Sequence, residues 1–146
     1  MFFRTFFPRR KLTGYELSLI PESLFRLVVA KLKVTLLPAK RYLGKDFCVQ
    51  DVVADEHNDN QSIIIAGVIN GLVARLPWKS SCLVKALAAH KMLKRRCIPH
   101  KVHIGVGNNP GDSISAHAWL SSGDRIIIGD KNLDRFHEVF PESKRS

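Results

Sequence analysis

The sequence predicts an α+β domain, a helical half followed by a short antiparallel sheet. Two observations predict it. In Glu16 to Leu37, Ser62 to Leu76 and Cys82 to Arg96, apolar residues recur at the three-four spacing of one helix face. After Ile98-Pro99 the period becomes two: Val102, Ile104 and Val106 alternate with Lys101, His103 and Gly105, the pattern of a strand with one buried face.

The elements follow in order. Residues 1–13 read as a loose basic arm, with Phe2, Phe3, Phe6 and Phe7 among Arg4, Arg9 and Arg10. The arm's apolar stretch is too short for a secretory signal, and no small-residue cleavage site follows it. Glu16 to Leu37 predicts an amphipathic helix with Leu24, Leu27, Val28 and Leu32 on one face, Pro21 in its first turn and Pro38 after its end. Arg26, Lys31 and Lys33 interrupt its apolar run, so it falls short of the ~20 apolar residues of a membrane span. Contact of the arm with a membrane surface is a lesser alternative.

Lys45 to Gln61 is polar and lacks a clear period. Asp51, Asp55, Glu56 and Asp59 gather negative charge there, but without the spacing and central glycine of a calcium loop. Ser62 to Leu76 predicts a second helix carrying Ile64, Ile65, Val68, Ile69, Leu72 and Leu76 on one face. Gly67 and Gly71, one helical turn apart, suggest close packing on the next helix. That helix opens after Pro77, with Ser80 and Ser81 as capping residues and Cys82 at its start. Leu83, Ala86, Leu87 and Ala89 form its apolar face, and Lys91, Lys94, Arg95 and Arg96 suit the negative end of its dipole. Residues 108–112 make a turn, Ser115 to Leu120 a second strand, Ser121-Ser122-Gly123-Asp124 a hairpin turn, and Arg125 to Gly129 a third strand. No internal repeat interrupts this order.

A chain of 146 residues with net charge +10 reads as one domain with a basic surface. Such a surface suits an acidic peptide, a nucleic acid or an anionic membrane. No aromatic-basic stacking motif or groove-reading helix accompanies the charge, so nucleic acid is not expected. Three irregularly spaced cysteines argue against a disulfide framework and for a reducing, cytoplasmic setting.

One constellation carries chemistry. Cys82 sits at a capped helix start, where unpaired amides and the dipole favour a negative charge. His117, on the second strand, is placed to take the thiol proton; it shares a face with Trp119, while Ala116, Ala118 and Leu120 share the other. A catalytic histidine needs a third group to hold its tautomer. Asp130 closes the neighbouring strand and is preferred to Asp124, in the hairpin turn, and to Asp134. Trp78 and Trp119 are candidates for the cleft walls. A zinc reading of Cys97, His100 and His103 lacks a fourth ligand and straddles a helix end and a strand. Neither a metal nor a cofactor is expected.

The run Leu76-Pro77-Trp78-Lys79-Ser80-Ser81-Cys82-Leu83, with Ala86-Leu87-Ala88, Leu93-Lys94-Arg95-Arg96, Ile104-Gly105-Val106, Ala116-His117-Ala118-Trp119 and the Gly123 hairpin, resembles the transglutaminase-like cysteine peptidases of lasso-peptide biosynthesis. The helix ending in Leu36-Leu37-Pro38 is similar to that family's leading segment. The resemblance implies residues 1–45 as arm and helical segment and 46–146 as a transglutaminase-like, papain-like core. It implies Cys82 as nucleophile, His117 as base and acid, and Asp130 as orienting carboxylate. It also implies removal of a leader from a ribosomally made precursor, so that a lasso cyclase can join the freed amine to an acidic side chain. Some family members carry a leader-binding domain; this chain has no room for one, which implies a separate leader-recognition protein. One position departs: Cys97 stands where the family usually has glycine, a residue suited to a left-handed helix end. Two readings compete with the peptidase: an acyl transferase using the same site, and a non-catalytic basic binding module.

Overall fold

The computed structural model describes residues 11–38, 41, 56–108, 111 and 114–140. Among them are helices α1 (Gly14–Leu36), α2 (Glu56–Val73) and α3 (Cys82–Arg95) and strands β1 (Lys101–Asn108), β2 (Ile114–Ser122), β3 (Arg125–Ile128) and β4 (His137–Phe140). The strands form one sheet in the order β3-β2-β1-β4, every neighbouring pair antiparallel. Helix α3 lies on the sheet, and α1 and α2 pack against α3. This is the predicted α+β class.

Helix α1 begins earlier than its periodicity suggests. The Thr13 hydroxyl accepts from the Glu16 amide, and the Glu16 carboxylate accepts from the Thr13 amide at 2.8 Å, a capping box. Pro21 is therefore interior, not in the first turn as expected. It is exposed, so the carbonyl it leaves without a donor faces solvent. The buried face also differs from the expected one. Glu16, Leu19, Ser23, Leu27 and Ala30 turn inward, while Leu24, Val28 and Leu32 are exposed. Both sides of α1 carry apolar residues, so periodicity has two solutions. The packed side is the one where Ser23 and Ala30 are small enough for α3 to approach. There the Ser23 hydroxyl donates to Met92 Sδ at 3.4 Å, and Glu22 pairs with Arg96 at 2.6 Å. The Arg96 guanidinium holds the Glu22 carboxyl below the usual carboxylate range.

Helix α2 starts at Glu56, inside the stretch expected to be irregular; residues 45–55 lie outside those described. It buries Ile65, Ala66, Val68 and Ile69. The expected close approach at Gly67 is not found: a Cβ there would meet nothing within 4 Å, because this residue lines a cleft.

Helix α3 is the centre of the core. Val84, Ala86, Leu87, Ala88, Ala89, Met92 and Leu93 are all at most 6% exposed. Burial of each Leu or Met side chain contributes about 1.5–3 kcal/mol. Its end is a Schellman turn: the Ile98 amide donates to the Leu93 carbonyl at 3.0 Å and the Cys97 amide to the Lys94 carbonyl at 3.1 Å. Cys97 takes the left-handed conformation this requires, with φ 54°.

Strands β1 and β2 are longer than predicted, β3 ends one residue before the expected Gly129, and the alternation of β1 holds only at its start. Val102 is fully buried and Ile104 half-buried, but Val106 is 36% exposed, because the strand runs out past the helical layer. Strand β4 was not legible; it is four residues long and pairs with β1 through Gly105↔Glu138 and Val106↔His137.

Two predictions follow from these contacts. A left-handed non-glycine residue costs about 1–2 kcal/mol, so Cys97→Gly should raise the free energy of unfolding by about 1 kcal/mol, read by urea denaturation. The second concerns the buried His90 and its half-buried neighbour His100. His100 Nδ1–H donates to the Ile98 carbonyl at 2.7 Å, leaving Nε2 to accept from His90 Nδ1–H at 2.8 Å. Burial, and then the charge of Lys94, hold His100 below its ordinary value of 6.5, against the opposing hydrogen bond to Ile98. Below pH 6.5 the unfolded chain then binds more protons at this site than the folded one. Stability should fall as pH drops from 6.5 through the folded value, and His100→Gln should flatten that part of the profile.

Candidate active site

The cysteine is delivered by the cap of α3. Ser81 is extended, with φ −71° and ψ 159°, and its hydroxyl accepts from the Val84 amide at 3.3 Å. Cys82 follows as the first helical residue, a half-buried free thiol. Its amide lies in the first turn, where helical N–H groups have no intrahelical acceptor. Its Sγ accepts from the Ala118 amide at 3.4 Å.

That amide is available because the sheet opens there. Strand β3 pairs with β2 from Ser122↔Arg125 to Leu120↔Ile128, and the chain then turns away through Gly129 at φ 76°. A Cβ on Gly129 would lie 2.6 Å from the Ala118 carbonyl oxygen, so only glycine fits the bend. Cys82 occupies the edge of β2 that β3 has left.

His117 precedes Ala118. Ala118 and Leu120, 2% and 0% exposed, belong to the core beneath α3, so His117 and Trp119 belong to the outer face of the sheet. The sulfur therefore lies at the edge of β2 and the histidine on the outer face of the sheet, not both on the face packed against the helix. His117 Nε2 is 2.7 Å from the Gly129 carbonyl oxygen. A carbonyl only accepts, so Nε2 carries the hydrogen and the neutral ring keeps Nδ1 as its base. Cys82, His117 and Asp130 line one cleft of about 870 Å³, together with Trp78, Lys85 and Arg125. A volume of this size suits a peptide segment or a small molecule.

Residues 40–141 match the family model of the transglutaminase-like superfamily. The chain belongs to that superfamily. No curated protein and no solved structure matches it. The superfamily includes cysteine peptidases and acyl transferases and typically acts through cysteine, histidine and aspartate.

In this transglutaminase-like domain the remaining candidates fall as follows. Asp130 is exposed and lines the cleft, immediately after the carbonyl that holds His117. Among the described residues its carboxylate makes no hydrogen bond to the imidazole; the backbone of Gly129 has that contact. Asp124 lies in the β2–β3 turn, at the far end of the hairpin, and Asp134 in a 3-10 turn at Leu133–Arg135. The zinc trio is dispersed: Cys97 is exposed, His100 is bonded to His90 and Ile98, and His103 to Glu138 and Ser121. No metal-binding cluster occurs among the described residues. Asp51 and Asp55 lie outside them.

Sequence reasoning missed the support around His117. Phe136 stacks on its ring at 4.9 Å, and Trp119 lies 6.0 Å away on a near-parallel plane. Trp119 stacks in turn on His103 at 5.3 Å, with the planes 2° apart. His103 is pinned through Nδ1 to Glu138 at 2.6 Å and through Nε2 to the Ser121 hydroxyl at 2.8 Å. Two glycines of β1 make the room. A Cβ on Gly105 would strike the Trp119 ring, and one on Gly107 would overlap the Arg135 carbonyl and meet the Phe136 ring. The available signal was Gly105 and Gly107 alternating within a strand, which marks a close approach. Two polar atoms in the cleft wall, Trp78 Nε1 and Ser80 Oγ, are buried without a hydrogen-bond partner among the described residues. Such groups cost about 1–3 kcal/mol each when unpaired.

The glycines yield a paired prediction. Gly107→Ala should destabilise the domain by about 1–3 kcal/mol through overpacking and shift the His117 ring resonances as Phe136 is displaced. Gly67→Ala, into open space, should be neutral or stabilising by up to about 1 kcal/mol. Thermal unfolding and NMR of the two variants check this.

Proposed function

We propose that this chain is a cysteine peptidase that removes the leader from a lasso-peptide precursor. Cys82 is the nucleophile, His117 the general base and acid, and Asp130 the carboxylate that supports the imidazole. The observation that carries the reading is the junction at the β2 edge. The sulfur is held against the amide next to His117, and the imidazole is fixed with Nδ1 as its base. Membership of the transglutaminase-like superfamily supports the reaction class. The likeness of the Pro77–Leu83 and Ala116–Trp119 runs to lasso leader peptidases supports the substrate.

The chemistry follows from these positions. His117 Nδ1 takes the Cys82 proton, and the thiolate attacks the scissile carbonyl. The first-turn amide of Cys82 donates to the oxyanion. As the tetrahedral intermediate collapses, the C–N bond breaks, His117 returns the proton to the leaving amine, and a thioester with the leader remains. Water, deprotonated by His117, then frees the leader acid and the thiol. Interception of the thioester by an amine instead of water is the acyl-transfer alternative. The cleft carries Lys79, Lys85, Arg125 and Lys131 against one acid, Asp130, which supports an acidic peptide as occupant. A separate recognition protein would present the leader, and a cyclase would use the freed amine.

Cys82→Ala should leave the fold intact and abolish cleavage of a lasso precursor, read by mass spectrometry with and without the recognition protein. Retained cleavage refutes the assignment. Asp130→Asn should lower kcat with little change in KM; unchanged kcat would leave the orienting role to the Gly129 carbonyl alone. An adduct formed with added amine would favour transfer over hydrolysis.

A further inference from the structure

Helix α1 buries one face in the core, and its opposite face is also apolar. Leu17, Leu24, Phe25, Val28, Leu32 and Leu36 are 52%, 39%, 62%, 38%, 52% and 72% exposed. At 3.6 residues per turn they fall in a stripe about 120° wide and roughly 30 Å long, on the side away from Leu19, Ser23, Leu27 and Ala30. The helix's charged residues, Glu16, Glu22, Arg26, Lys31 and Lys33, all fall outside this stripe. A helix apolar on two sides has a second burial partner, because exposed contiguous apolar surface of this extent is unfavourable in water.

Charge selects among the occupants. Lys31 and Lys33 flank the stripe on its two sides, and Arg26 lies farther round, beside the buried face; Glu16 is buried in its capping box, and Glu22, which also flanks the stripe, is paired with Arg95 and Arg96. The segment leading into the helix, Met1 to Lys11, adds Arg4, Arg9, Arg10 and Lys11 among Phe2, Phe3, Phe6 and Phe7, with no acid. The chain as a whole carries +10. A second copy would set basic borders against basic borders. An anionic lipid surface instead offers an apolar layer for the leucines, Val28 and Phe25, with headgroup phosphates for the flanking lysines. It also requires no matching partner helix.

We propose that α1 is a membrane-surface helix, seating the domain on anionic lipid through Leu17, Leu24, Phe25, Val28, Leu32 and Leu36. The helix lies in the interface plane. Among the described residues no helix is long and apolar enough to cross a membrane. None of the six stripe residues lines the cysteine cleft, although Lys31 beside the stripe donates to the carbonyl of Lys79 in the cleft wall at 3.4 Å; the proposal does not rest on the reaction proposed for that cleft.

The test uses the full chain with vesicles of phosphatidylcholine alone and of phosphatidylcholine mixed with phosphatidylglycerol, read by flotation. The chain should float with the mixed vesicles, remain behind with the neutral ones, and detach progressively as salt is raised. A Leu24→Ser, Leu32→Ser double variant should bind at least about tenfold more weakly, with an unchanged circular dichroism spectrum and melting curve. Both positions are already partly exposed, and Val28→Ser with Leu36→Ser serves as a second pair. Three results would overturn the proposal: no binding to mixed vesicles, equal binding to neutral ones, or mixed-vesicle binding that the serine variants leave unchanged. A stripe-dependent dimer by light scattering, with no lipid binding, would assign the face to a second copy and overturn it equally.

Discussion

Helix α3 touches both other helices and three of the four strands, and its burial is the constraint on which the molecule rests. Ala86, Ala88 and Ala89 are 0%, 1% and 0% exposed, so its neighbours approach close to its backbone. Interiors packed this tightly transmit displacement, since there is no free volume to absorb it. The helix is also pinned at both ends. Ser81 caps its start, while the Schellman turn at Cys97 and the Glu22–Arg96 pair close its end. The position of the sulfur at residue 82 is thus set by the core, not by a flexible loop.

The other side of the junction depends on an interruption in the sheet. Were β3 to continue beside β2, the Ala118 amide would be spent on a strand partner. Because the chain bends at Gly129, that amide meets sulfur, and the Gly129 carbonyl turns to His117. One bend supplies both contacts. The imidazole stacks with the rings of Phe136 and Trp119, and those rings fit because Gly105 and Gly107 carry no side chains. Backbone groups thus set the direction of the histidine's hydrogen bond, and packing sets the plane of its ring.

The surface divides into regions of different chemistry. The cleft is basic and partly apolar, suited to an extended anionic segment. The outward side of α1 is apolar with basic borders. The outer sheet face carries the His103, Glu138 and Ser121 chain, which holds Trp119 in place. Superfamily membership accounts for the core and the cysteine junction; the α1 face lies in the part of the chain before residue 40, where the family match begins.

Much of this was written in the chain itself. The change of period at Pro99 marked the passage from helix to strand, Ser81 and Cys82 marked a capped helix start, and Gly123 marked the hairpin, because each depends on local backbone geometry and capping. The place of Asp124 in the hairpin turn was legible for the same reason. Which side of α1 packs inward was not legible, since two apolar faces satisfy one periodicity and only the fit of Ser23 and Ala30 against α3 separates them. Strand β4 was not legible either, because so short a strand, with His137, Glu138 and Val139 all exposed, carries no alternation, and its pairing comes from β1. The contacts of His117 belong to the tertiary structure alone: a carbonyl appears at every residue, and only the fold decides which one an imidazole meets.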